Sequence, residues 1–340
     1  MKIGKQTLKL ENTPKLLETS SSVGPKEADG PLGNYFDIKV NDIFFGEKTF
    51  EKAETKFLTT AINNLLQKVS LQNDKIDYIF SGDLLNQCIA SAYSVRDLEI
   101  PFFGLYGACS TYVEGMILAS ILVNSGMGEK IIYSASSHFC SSERQFRMPL
   151  EHGNQRPPSA QYTVTGAGCG LITTSKIEKK APFITYVTPG KIVDLGINDM
   201  ANMGAAMAPA AVMTILTHLE DTGRKPEYYD AIITGDLGNE GSEILIDLCK
   251  KNGVDISKVH TDCGKEIFDT INDRDVNSGG SGCGCIASVF SGYFYQKMKE
   301  QKINKVLLVA TGALMSPISI NQGESIPSIA HAVAIENEVN

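Results

Sequence analysis

The chain has 340 residues, 42% of them hydrophobic and 21% charged, which are ordinary globular proportions and enough material for two domains or one double-sized unit. A formal net charge of -8 and a pI near 5.3 argue against nucleic acid, whose binding rests on clustered Lys and Arg. The start, MKIGKQTLKLENTP, lacks the apolar core of a signal peptide, and no run of 18 apolar residues occurs, so neither a signal peptide nor a transmembrane segment is expected.

In chain order, residues 13–35 are rich in Pro, Gly, Ser and charge and read as an irregular N-terminal arm spanning 1–35. A helix is expected over about 50–68, then a strand in DYIFSG (77–82). The next stretch, FGLYGACSTYVEGMILAS (103–120), contains a cysteine set for chemistry. Gly104 and Gly107 permit a sharp turn, Ser110 and Thr111 suit a helix start, and the helix beyond is apolar on nearly every side. Helix amides aimed at Cys109 would favour its thiolate, the usual route to a reactive cysteine. The competing reading is a buried cysteine acting as a small hydrophobe.

After the strand KIIYSAS (130–136) comes His138, at the kind of strand end where α/β folds gather their sites. Of six arginines, Arg144, Arg147 and Arg156 fall close together, near His138 and His152. Planar guanidinium groups pair bidentately with carboxylates, and a solvated loop pairing with Glu143 and Glu151 is the plain alternative. TGAGCGLITTSK, near Gly166, runs into a strand, and GGSGCGC, with Gly280 and Gly282, lacks nucleotide-loop spacing. Both read as places where backbones approach closely, and the second can line a pocket opposite Cys109. Residues 200–213 form an apolar, alanine-rich helix suited to core or subunit contact, and His218 reads as a boundary residue. Cysteines at 88, 109, 140, 169, 249, 263, 283 and 285 form no C-x-x-C pair, and the five histidines supply no zinc spacing, so reduced thiols with no metal and no cofactor are expected.

The chain also repeats itself. DYIFSGDLLNQ (77–87) is matched by DAIITGDLGNE (230–240), and GACSTYVEGMILAS followed by EKIIYSAS is matched by GCGCIASVFSGYFY followed by NKVLLVAT. Two similar halves follow, taken as 36–180 and 181–340, and Asp83 pairs with Asp236.

A duplicated α/β half with a cysteine at the start of a buried helix resembles the thiolase superfamily, and implies a thiolase-like fold: two pseudo-repeated α/β halves in a layered αβαβα arrangement. In that superfamily the cysteine accepts an acyl group and second-half histidines or asparagines activate the partner substrate. Here Asp236 stands where condensing enzymes carry histidine, VNSGGSGCGC holds no histidine, and Thr311 lies near the second thiolase cysteine. Each missing acid or base costs roughly 10² to 10⁴ in rate. GDLLNQ, FGLYGACST, SSHFCSSERQFRMPLEHGNQRPPSAQYTVTGAG and QGESIPSIAHAVAIE together resemble the stage V sporulation protein AD family. That resemblance implies a non-catalytic protein that binds dipicolinic acid. It would take part in the ligand's uptake into the developing spore with membrane proteins of the same system, at the cytoplasmic side or periphery of the spore inner membrane. The expected ligand site comprises Cys109, Ser110, His138, Arg144, Arg147, Asp236, Gly280 and Gly282. A homodimer is compatible with the sequence. The alternative function is a divergent acyltransferase or ketoacyl condensing enzyme using Cys109 on a thioester.

Overall fold

The computed structural model describes residues 1–145, 156–174, 176, 179–273 and 275–338. The first half runs from strand β1 (Lys15–Val23) to helix α1 (Phe50–Val69), whose N-cap Thr49 accepts a hydrogen bond from the Lys52 amide. It continues through β2 (Tyr78–Gly82), α2 (Ile89–Val95), β3 (Phe102–Gly104), α3 (Thr111–Ser125), β4 (Lys130–Ser137), the short α4 (Phe139–Glu143) and β5 (Gly166–Thr173). The second half comprises β6 (Phe183–Thr188), α5 (Met203–Thr222), β7 (Ala231–Thr234), α6 (Gly238–Lys251), β8 (His260–Asp262), α7 (Cys283–Val289), β9 (Lys305–Ala313) and β10 (Ser328–Glu336). Helix α7 continues through a π-helical turn, Phe290–Phe294, into Tyr295–Lys299.

The duplication is visible in the strand order. One half reads β1–β5–β4–β2–β3 and the other β6–β10–β9–β7–β8, and the two sets touch at Lys15–Phe183. In each, the second strand is antiparallel to its neighbours and the outer three are parallel. Helix α3 packs on β2 and β4 of its own half and on β9 and β10 of the other, and α7 packs on β1, β4 and β5. Both are therefore sandwiched between the sheets. That explains why Tyr112, Val113, Met116 and Ile117 are all buried and why the helix has no polar face to give to water. Helix α1 covers the outer face of the first sheet, and α5 and α6 that of the second, which completes αβαβα. Close packing of α7 on β5 needs Gly168, because a Cβ there would run into the Ala287 carbonyl.

Two expectations are corrected. Residues 1–35 are not an irregular arm: β1 is buried along all nine residues and belongs to the first sheet, so the halves run from 15 to 173 and from 183 to 336. Its serines look polar in sequence but have specific partners, Ser22 donating to the Phe57 carbonyl and Ser20 accepting from Asn64. His218 is no boundary residue. It is fully buried, bonded to Thr188 at 2.8 Å and to the Tyr229 hydroxyl at 2.6 Å, and burial pulls its pKa down to about 3.

Candidate functional site

Cys109 sits on a tight turn two residues ahead of α3. Ala108 takes a left-handed conformation (φ 50°), and the turn is braced by Ser110, whose hydroxyl donates to the Gly107 carbonyl at 2.7 Å, and by Thr111, which donates to the Ala108 carbonyl at 2.7 Å. Strand β9 reaches this turn only because residue 312 is glycine, since a side chain there would collide with the Gly107 carbonyl. Cys109 is 6% exposed and faces a cavity of about 40 Å³, walled by Leu84, Tyr106, Gln145, Met203, Ser281 and Met315 among others.

Behind the cysteine lies Asp236, buried at the end of β7. It accepts from the Thr311 hydroxyl at 3.0 Å, the Gly282 amide at 3.0 Å and the Ser281 hydroxyl at 3.4 Å, and it faces the Cys109 thiol. Its backbone carbonyl accepts from Gln161 at 2.6 Å, and the same amide group donates to the Gly280 carbonyl at 2.9 Å, tying the glycine turn to the aspartate. Gly282 needs its freedom, with φ at 95°. Burial pushes Asp236 up to about 7, partly countered by the Cys109 thiol, and nearby Asp262 adds to the rise.

The expected low-pKa thiolate is not what this geometry produces. Burial raises the Cys109 thiol well above its usual range, and the Asp236 charge raises it further. The helix begins at Thr111 rather than at the cysteine, and the described cavity wall contains no cation to hold a thiolate. Cys109 is therefore a thiol beside a carboxylate.

Of the sequence-predicted residues, Cys109, Ser110, Asp236, Gly280 and Gly282 gather here. His138 and Arg144 do not. His138 is buried at the end of β4, where its Nε2 lies 2.9 Å from the Ile43 carbonyl, its Nδ1 accepts the Cys140 amide and its ring lies near Phe50. Arg144 lies over Phe50 and 3.8 Å from Glu51. Arg147 and His152 lie outside the described residues. Glu51 also borders an open groove of about 890 Å³ between α1 and α2, whose cations are Lys52, Lys56 and Arg96. Asp83, matched to Asp236 by the repeat, is turned to structure, capping the Leu85 and Ser91 amides. Ser281, Gln161, Met203 and Met315 escaped the sequence reading. Their signal was only adjacency, to Gly282, to the stretch YTVT before Gly166 and to the ends of α5 and β9. Among the described residues, no group of three or more His, Cys, Asp and Glu is placed to hold a metal ion, and no helix is long and apolar enough to cross a membrane.

Comparison with known proteins bears on family and fold. The profile of the family described as Stage V sporulation protein AD matches residues 4–336. The chain is 44% identical over 333 residues to the Stage V sporulation protein AD of Bacillus subtilis (strain 168), covering 98% of this chain and 97% of that one. Among solved structures it is similar to 3-oxoacyl-[acyl-carrier-protein] synthase III of Aquifex aeolicus VF5, with a TM-score of 0.57 and 14% identity over 95% of this chain and 99% of that one. It is also similar to a variant of OleA from Xanthomonas campestris, with a TM-score of 0.59 and 13% identity over 99% of this chain and 100% of that one. At such identities the likeness is one of fold, that of the thiolase-like condensing enzymes.

Proposed function

The chain belongs to the stage V sporulation protein AD family, and from that premise we propose that it binds dipicolinic acid, pyridine-2,6-dicarboxylate, and takes part in its uptake into the developing spore without catalysing a reaction. The observation that carries the non-catalytic reading is the pairing of Cys109 with Asp236. A nucleophile needs a partner that favours its anion, and here burial and then the neighbouring Asp236 charge both disfavour the thiolate, so the proton stays on sulfur. Membrane proteins of the same uptake system are its proposed partners, at the cytoplasmic side or periphery of the spore inner membrane. Recovery of the protein wholly in the soluble fraction of disrupted spores would remove that placement.

The cavity at Cys109 has room for about two waters, whereas small-molecule pockets usually span about 300–1,000 Å³. Entry of the ligand therefore moves Tyr106, Met203 and Met315, and thioether side chains repack at low cost. Calorimetric titration with dipicolinate should give saturable binding. Acetyl and malonyl thioesters should release no thiol at a sustained rate. No dipicolinate heat together with thioester turnover on the order of 1 per second or faster would establish the acyltransferase alternative instead. Cys109→Trp should abolish binding if the cavity is the site, while Lys52→Ala and Arg96→Ala would weaken it about tenfold or more if the ligand lies in the groove.

A homodimer is part of the same proposal. Among the described residues strand β3 ends the first sheet with one edge unpaired, and Phe103 on it and Tyr106 just after it are 49% and 52% exposed, the kind of edge a second copy covers. Sedimentation as a monomer at micromolar concentration would rule it out.

A further inference from the structure

Four residues with polar side chains line the Cys109 cavity, Tyr106, Gln145, Cys109 and Ser281, and the last two, the floor on the Asp236 side, face that carboxylate behind them. The other partners of that carboxylate, the Gly282 amide and the Thr311 hydroxyl, are donors as well. A carboxylate offers about four lone-pair sites, and here four donors converge on them. The two floor groups thus direct their hydrogens inward and leave lone pairs toward the cavity.

We propose that Asp236 is the specificity-determining residue of this cavity: by drawing the protons of Cys109 and Ser281 inward it makes the floor a hydrogen-bond acceptor, which selects a ligand presenting a donor, such as a protonated carboxyl or an N–H, over a bare carboxylate. The surroundings reinforce the choice. Cys109 faces Asp236 from the turn before α3, Thr311 from β9, Asp262 from the end of β8, and Cys283 and Cys285 from α7, and none of these is a cation. Protonating Asp236, or replacing it by Asn, would give it a hydrogen of its own and free Cys109 and Ser281 to donate into the cavity. The same floor would then accept a carboxylate. For dipicolinate this rests on the reading that the cavity is its site, and binding would then improve as Asp236 takes up a proton.

Asp236→Asn and the parent separate the two ideas. Without ligand, the pH–rate profile of Cys109 alkylation by iodoacetamide, followed by peptide mass spectrometry, should move to lower pH in the variant, with a rate at pH 8 on the order of tenfold higher, because the neighbouring charge is gone. With ligand, the parent should bind dipicolinate more weakly at pH 8 than at pH 6, a range in which dipicolinate itself stays ionised. The variant should bind on the order of tenfold more tightly than the parent at pH 8 and show little pH dependence. An unshifted alkylation profile overturns the proposal whatever dipicolinate does. Where Cys109→Trp abolishes dipicolinate binding, so that the cavity is the site, parent affinity unchanged between pH 6 and pH 8 overturns it too, even if Asp236→Asn fails to fold. A shifted profile with no dipicolinate binding by either protein supports the acceptor floor and sinks the dipicolinate reading alone.

Discussion

Glu54→Gln is expected to raise the thermal stability of the protein relative to the parent, and by more at pH 8 than at pH 5. Glu54 projects from α1 into the space between β4 and α4, fully buried, with only two hydroxyls on its oxygens, Ser136 at 3.1 Å and Ser141 at 2.7 Å. Burial pushes it up to about 8, and the Asp83 charge pushes the same way. The folded pKa is above the unfolded one, so the folded state holds the extra proton between them. Stability is therefore fully present below about 4, falls as pH rises through the interval, and is lost above about 8. Asp236 and Glu27, both raised to about 7 by burial, and Asp262, raised to about 6, act in the same direction. Burial holds His218 down to about 3 and His260 and His331 down to about 4, and these act in the opposite one, so it is the difference between parent and variant that isolates Glu54. A shift of this size at Glu54 corresponds to on the order of 2–4 kcal/mol, or several degrees in Tm for a chain of this length. Calorimetric melting at pH 5 and pH 8 would show the two proteins converging at the acid end and parting at the basic end. Parallel pH dependence in parent and variant would rule out Glu54 as the source.

Deleting residues 1–23 is expected to abolish the folded state, whereas deleting residues 1–4 should leave a cooperative transition. The longer deletion removes β1, which bridges the two sheets, pairing with β5 along its length and with β6 at Lys15. With it go Leu16, Leu17 and Val23 of the core, the Thr19 hydroxyl that donates to the Ser291 carbonyl at 2.7 Å, and Glu18, the anion that holds Lys179 and Lys299. Each buried aliphatic side chain is worth about 1.5–3 kcal/mol, so three of them already rival the net stability of a typical domain, about 5–15 kcal/mol. Near-ultraviolet dichroism and urea titration would report the loss. A cooperative urea transition in the 24–340 chain would show that the sheets close without β1.

The same strand explains where the sequence was legible and where it was not. Elements whose burial is written in apolar residues were readable, as in the run from Met116 to Val123 and the strands KIIYSAS and KVLLVAT. β1 was not, because TSSS is buried through hydroxyl partners on α1 and at Asp37, and a local window contains none of those partners. The site divides likewise. The internal repeat singled out Asp236, and turn chemistry singled out Cys109 and Gly282. The arginines drew attention by composition alone, and composition carries no direction: Arg144 turned toward Glu51. The rise in the Cys109 pKa comes first from burial between the sheets and then from Asp236, 127 positions away, and neither is within the reach of a helix-start argument.

Strand β1 also sets an order of events in time. The residues it pairs with, 166–173 and 183, emerge from the ribosome roughly 150 residues after it, and Ser291, which accepts from Thr19, follows 272 residues after its donor. Its near partners, Ile38 and Lys39 beside Ser22 and Val23 and the α1 groups at Phe57 and Asn64, are made soon after it. At synthesis rates of about 5–20 residues per second, however, it waits on the order of ten seconds for the strand that covers its length and longer for its last partner. Contacts this distant also make folding slow after release. The serines that disguise β1 in the sequence have hydroxyls that water can satisfy during that wait, and the strand that joins the two sheets is made well before the strands that cover it.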